Sequence, residues 1–201
     1  MRRLALVLAC LLGLASGCAS VSHDHRMLPP PPTTGRTLVV GIGLDRENRS
    51  TVQALVRGVT RELDDRWGSV FEAGAFVSQA ARSGSPIPVE RLEAIAAGVL
   101  DQDLAEALRQ GHGIQTLIFL DVRVFDQEWG PETKRTRIKL VAWAVDLGQL
   151  KVIWRATSAP EVDGESGRSF QLASESAIQG LVRAIFGEPQ PLWPVTLFNG
   201  R

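Results

Sequence analysis

Two cysteines, three histidines and no tyrosine occur in the 201 residues of this chain. So few cysteines rule out a disulfide-built scaffold, and so few histidines leave little from which to assemble a metal centre. Charge of one sign is missing too: 22 Lys and Arg stand against 22 Asp and Glu, so the basic balance of a nucleic-acid binder is absent. What is present, 44% hydrophobic and 22% charged residues, is the composition of a globular domain and not of a disordered or fibrous chain. The length suits one domain of ordinary size with a tail.

The one long apolar run lies at the start. Arg2 and Arg3 form a positive n-region, Leu4 to Leu14 an apolar stretch, and Ala15-Ser16-Gly17 a small-residue stretch ahead of Cys18. The run is too short and wrongly flanked for an ordinary membrane span, and it reads as a secretory signal peptide over residues 1–17. Leu14-Ala15-Ser16-Gly17-Cys18 resembles the lipobox of bacterial lipoproteins, although Ala15 stands three residues before the cysteine where the usual pattern has Leu. The resemblance implies cleavage before Cys18 and lipidation of that residue. Ala19, in place of the Asp associated with inner-membrane retention, implies the periplasmic face of the outer membrane. Two or three acyl chains at about 0.8 kcal/mol per buried methylene give lasting anchorage. Cleavage would leave 20 basic and 22 acidic residues and a single cysteine, itself occupied by lipid. Thiol chemistry is thereby excluded.

Residues 18–35 read as a tether, polar first and then extended at Pro29 to Pro32, with the role of holding the domain off the membrane. His23 and His25 within it lack the fixed geometry of a metal site. Residues 36–187 form the expected domain and 188–201 a tail containing Trp193 and Phe198. Thr37 to Ile42 reads as a buried strand. The following Gly41-Ile42-Gly43 has neither the third glycine of a dinucleotide fingerprint nor the Gly-Lys of a P-loop, so nucleotide binding is rejected. Ser50 and Gln53 predict a capping box for a helix carrying the stripe Val52, Leu55, Val56, Val59, Leu63 and Trp67. Gly68 ends it, and Ser69 to Val77 is expected to supply a second strand.

After a loop over residues 82–88, the apolar face from Leu92 to Leu108 predicts one helix to Gln110, or two broken near Asp101, with Gly111 as terminator. Three strands follow. Gln115 to Phe125 is apolar on both faces at Leu117 to Leu120. Lys134 to Val145 sets Ile138, Leu140, Ala142 and Ala144 against Arg135, Arg137 and Lys139. Leu150 to Ala156 completes a hairpin through Asp146-Leu147-Gly148-Gln149, with Gly148 expected in a left-handed conformation. Ser169 to Gly187 is the final helix. The expectation is therefore an α/β fold in βαβαβββα order: one mixed sheet of about five strands packed with three or four helices.

The opening strand and glycine-containing turn of Leu38 to Asn48, the strand Gln115 to Val124, and the hairpin VDLGQLKVIW ahead of a closing helix together resemble a group of envelope proteins. These are the curli secretion-channel lipoprotein, the outer-membrane lipoprotein activators of peptidoglycan synthases, and the amino-terminal domain of TolB. The resemblance spans residues 36–186 and brings no catalytic set with it. The long hairpins that would build the curli channel's barrel are absent from this sequence.

Catalysis needs acid, base or metal groups that converge. Asp121 and Asp126 differ in parity along one strand and point to opposite faces, while Glu128, Asp146 and Asp163 read as surface and turn residues. His112, between two glycines, reads as a turn residue. The expected function is thus non-catalytic and cofactor-free: a lipid-anchored binding or assembly factor of the cell envelope, acting through protein contacts such as regulation of a peptidoglycan synthase. The alternative is an auxiliary lipoprotein of an envelope transport or secretion system. Its partners are the membrane, through Cys18, and another envelope protein. Trp129 beside the basic row Arg135, Arg137 and Lys139 is the expected partner surface, since aromatic and Arg residues anchor interfaces. The three charges must reach an edge, meet acidic groups within the fold, or be left for another molecule.

Overall fold

The computed structural model describes residues 20–22, 35–42, 49–128, 134–164 and 166–188. In chain order the elements are β1 (Ser20–Ser22), β2 (Arg36–Ile42), α1 (Arg49–Trp67), β3 (Val70–Glu72), α2 (Ala73–Arg82), α3 (Val89–Ala96), α4 (Gln102–His112), β4 (Ile114–Glu128), β5 (Lys134–Asp146), β6 (Lys151–Gly164) and α5 (Ser166–Phe186). The six strands form one mixed sheet in the order β1-β6-β5-β4-β2-β3. β2 runs parallel to both β3 and β4, while β4, β5 and β6 form an antiparallel meander. The α/β mixed sheet expected from the sequence is the fold observed; β1 and α2 are additions to it.

Burial explains the layers. On one face Ile118, Leu120, Ile138, Leu140, Ala142, Ala144 and Trp154 pack against the apolar stripes of α1 and α5. All five expected positions of the α1 stripe from Val52 to Leu63 are buried, and Trp67 packs at its end against Phe186 with ring centroids 5.0 Å apart. On the other face Leu38, Val40, Leu117, Phe119 and Val145 pack against α2, α3 and α4. Leu117 to Leu120 is covered on both sides, which is why that run shows no alternation. Among the described residues, no helix is long and apolar enough to cross a membrane.

Four local expectations are corrected. The strand over residues 69–77 is only three residues long before it turns into α2. Ala73, Phe76, Val77 and Ala80 recur with helical spacing, in a segment rich in good helix formers. The left-handed pair Gly68 (φ 66°) and Ser69 (φ 60°) reverses the chain there, and the Val70 amide donates to Asp64 Oδ1 at 2.9 Å.

Between residues 88 and 112 the second of the two expected arrangements holds, two helices separated before Asp101, and the correction concerns the terminator. Gly98 (φ 90°) closes the first, and Asp101 caps the second by accepting from the Leu104 amide at 3.0 Å. The second runs past Gly111, and Gly113, left-handed at φ 70°, ends it. Arg91 grips Asp101 through bonds of 2.7 and 2.6 Å. These, and then the Leu104 amide, hold the Asp101 carboxyl below its ordinary range. The cap is therefore intact at neutral pH and lost as acid brings the pH down through that lowered value.

In the hairpin, Asp146 Oδ1 accepts from the Gln149 amide at 2.7 Å, as a turn-opening Asp should. The left-handed residue is Leu150 (φ 50°), however, and not Gly148. Gly148 matters for space, since a Cβ there would lie 3.2 Å from Asp146 Oδ1. Lastly, Ala144 faces Trp154 while Val145 faces Val152, so Ile153 is an extra residue in a bulge. The alternation expected over Leu150 to Ala156 breaks at this point, which leaves Val152 exposed.

Inside the segment read as a tether, Ser20–Ser22 pairs antiparallel with β6, Ser20 opposite Glu161 and Ser22 opposite Ala159. Residues 1–19, with the signal peptide and Cys18, lie outside the described residues, as do Pro29 to Pro32 and the tail from residue 189.

The covered face depends on a close approach at Gly41, where a Cβ would stand 2.8 Å from Val56 Cγ2 on α1. Gly41→Ala should destabilise the domain by about 1 to 3 kcal/mol through overpacking. Equilibrium denaturation checks this, and an unchanged midpoint would mean that α1 is not seated on β2 there.

Candidate interaction face

The second face of the sheet is only half covered. α2, α3 and α4 lie over β2 and the near ends of β4 and β5; among the described residues no helix lies above the remainder of β4, β5 and β6 on this face. Strand register fixes what lies at the edge of the helical layer and beyond it. Phe119, Trp143 and Arg155 form one row across the three strands, and Asp121, Val141 and Thr157 the next. Arg123 faces Lys139, and Arg137 faces Glu161.

The rows differ in chemistry. The Trp143 ring sits 5.8 Å from that of buried Phe119, and the Arg155 guanidinium lies over it at 5.9 Å from the centroid. Trp143 is half-buried and Arg155 exposed, so an aromatic with a cation above it is offered on uncovered sheet. Further along, Arg123 pairs with Asp121 at 3.0 Å and Arg135 with Glu161 at 2.9 Å. Arg137, exposed, and Lys139, half-buried, make no ion pair among the described residues.

The structure thus places the expected surface residues in two groups. Arg135 is engaged within the fold, Arg137 and Lys139 are open cations on β5, and Trp129 lies outside the described residues. Trp143 and Arg155 were not singled out from sequence. Their alignment depends on the bulge at Ile153, which residue spacing alone does not reveal.

Other candidate groups have structural roles. The His112 ring meets Phe76 edge-on at 5.3 Å and its carbonyl accepts from Arg36 at 3.0 Å. Asp146 holds its turn, and Asp121 holds Arg123. The side chains of Asp126, Glu128 and Asp163 lie outside the description. No cluster of three or more His, Cys, Asp or Glu able to hold a metal forms among the described residues. An open groove of about 520 Å³ runs between Pro86-Ile87 and α4, but Arg91, the cation on its rim, is committed to Asp101.

No family model and no curated protein matches the sequence. Among solved structures, the chain is similar to a point variant of PelC from Paraburkholderia phytofirmans, a dodecamer, at a TM-score of 0.53 and 12% identity, covering 83% of this chain and 97% of that one. A second PelC dodecamer from the same organism matches at 0.50 and 11%, covering 86% and 99%. Lipoprotein GNA1162 from Neisseria meningitidis matches at 0.47 and 15%, covering 76% and 99%. At such identities the PelC likeness establishes the fold.

Arg137 and Lys139, without an ion pair among the described residues, should be dispensable for stability. Arg137→Glu with Lys139→Glu is expected to change the unfolding free energy by about 0.5 kcal/mol or less. Thermal and urea unfolding measure it, and a large loss would place the two cations in the domain's own ion pairing.

Proposed function

We propose that this chain is a lipid-anchored, non-catalytic binding or assembly factor of the bacterial cell envelope, acting through protein contacts such as regulation of a peptidoglycan synthase. The observation that carries the reading is the pair Trp143 and Arg155, at the edge of the helical layer that buries Phe119. A half-buried Trp beside a buried Phe and flanked by an exposed Arg has the composition and rigidity of an interface anchor. The lipobox-like stretch at Cys18 supports anchorage at the outer membrane, and the resemblance to envelope proteins supports the compartment.

A second reading, an auxiliary lipoprotein of an envelope transport or secretion system, gains support from the fold. PelC, which shares it, is a dodecamer, and a many-subunit oligomer suits an assembly of that kind. Light scattering of the purified mature chain separates such an oligomer from a monomer.

Crosslinking and pull-down from envelope membranes tests the function. Under the main reading, a peptidoglycan synthase or another envelope enzyme is recovered, and Arg155→Glu weakens recovery by about tenfold, in keeping with an interface anchor. Recovery unchanged by Arg155→Glu would remove this row from consideration, and a channel or transporter as the crosslinked partner would favour the second reading. Intact mass checks the anchor: an unmodified Cys18, or a retained Met1, contradicts it.

A further inference from the structure

Four basic residues, Arg123, Arg135, Arg137 and Lys139, share the sheet face near which the chain's own beginning joins the sheet. Ser20 of β1 stands opposite Glu161 of β6, and Glu161 stands opposite Arg137 of β5, so one row crosses the three strands. Strands lie about 4.8 Å apart, which puts β5 about 10 Å from β1. Cys18 is two residues before Ser20, a reach of at most about 7 Å. Acyl chains on Cys18 therefore cannot leave this corner of the sheet. The Pro-rich run at residues 29–32 falls after β1, between two strands of the same sheet, and does not separate lipid from domain.

At this corner one face is closed by α5 and the other is open. The open face carries Arg123, Arg135, Arg137 and Lys139. Asp121 answers Arg123, Glu161 answers Arg135, and Asp163 lies across from Arg135 in the register. Arg137 and Lys139 make no ion pair among the described residues and lie within about a Debye length of the anchored edge. Resting on the acylation proposed above, we infer that this corner of the open face docks on the anionic phospholipid headgroups of the membrane that holds the anchor. The basic row thus takes lipid phosphates in place of the protein partner expected from the sequence. The Trp143–Arg155 row, nearer the hairpin, is left for the protein partner.

The occupant follows from position and charge. A membrane surface is the one partner that the acyl chains bring to this corner at all times. Cations close to an anionic bilayer attract it over a Debye length. Lysines supply a built-in probe, since the chain has three, Lys134 and Lys139 near this corner and Lys151 at the hairpin. From the level of Ala159 to Lys151 along β6 is about 25 Å at 3.3 Å per residue.

The test uses the mature chain from Cys18 onward, first without acyl groups and under reducing conditions. It should co-sediment with phosphatidylcholine vesicles containing phosphatidylglycerol and not with phosphatidylcholine alone. Binding should fall at least about tenfold in Arg137→Glu plus Lys139→Glu, and similarly in high salt. Equal binding to both vesicles, none to either, or an unaffected double variant would overturn the inference. This arm needs neither acylation nor a protein partner, so its failure is distinct from failure of the proposed function. In a second arm, acylated protein on phosphatidylglycerol-containing vesicles is treated with an amine-acetylating reagent. The rate at Lys139 relative to Lys151 should drop compared with detergent, and an unchanged ratio would contradict the docked orientation.

Discussion

Burial of Leu117 to Leu120 on both sides of β4 is the constraint from which the rest of the architecture follows. All four side chains are fully buried, and each contributes on the order of 1.5 to 3 kcal/mol when removed from water. A strand apolar on both faces needs a layer on each. α1 and α5 supply one across the width of β4, β5 and β6, while α2, α3 and α4 supply the other over β2 and one end of β4 and β5. β5 and β6 are longer than this second layer is wide. The open half-face is the consequence, and both proposed contacts are made on it.

The polarity of the open half follows the same geometry. Near the helical layer, the face is aromatic, with Trp143 resting on Phe119. Away from it, the same strands turn to Arg, Lys, Asp and Glu, because no helix among the described residues covers them and unpaired charge is cheap only in contact with water. The covered face shows the opposite choice. Thr136 and Ser169 meet there at 3.1 Å, and the other side chains from Ile138 to Ala144 are apolar. The indole nitrogen of Trp154 and the hydroxyl of Ser158 are buried there without a hydrogen-bond partner among the described residues.

What sequence could and could not disclose divides along physical lines. The α1 stripe, the two-sided run of β4 and the alternation of β5 are written in residue spacing, and each appears as expected. The bulge at Ile153, the left-handed Leu150 and the break at Gly98 are decided by a single residue's conformation within a longer pattern, where spacing carries little information. The strand expected at residues 69–77 failed because a short apolar run of mixed period does not distinguish strand from helix. Half of the candidate site was legible: the basic row is visible as alternation, but which of its members are compensated depends on cross-strand partners. The pairing of Ser20–Ser22 was hidden entirely, since the three residues Ser-Val-Ser are too few to carry a periodic signal.

In the proposed docking that pairing sets how the open face stands to the membrane, and it is the part of the account most directly measured. Amide hydrogen exchange of the mature protein, resolved at residues 19–22, reads it without altering any residue. If β1 lies in the sheet, the amides bonded to β6 exchange far more slowly than those of an unstructured chain. Exchange at the unstructured rate throughout residues 19–22 would detach the anchor from the sheet edge and contradict the orientation derived from it.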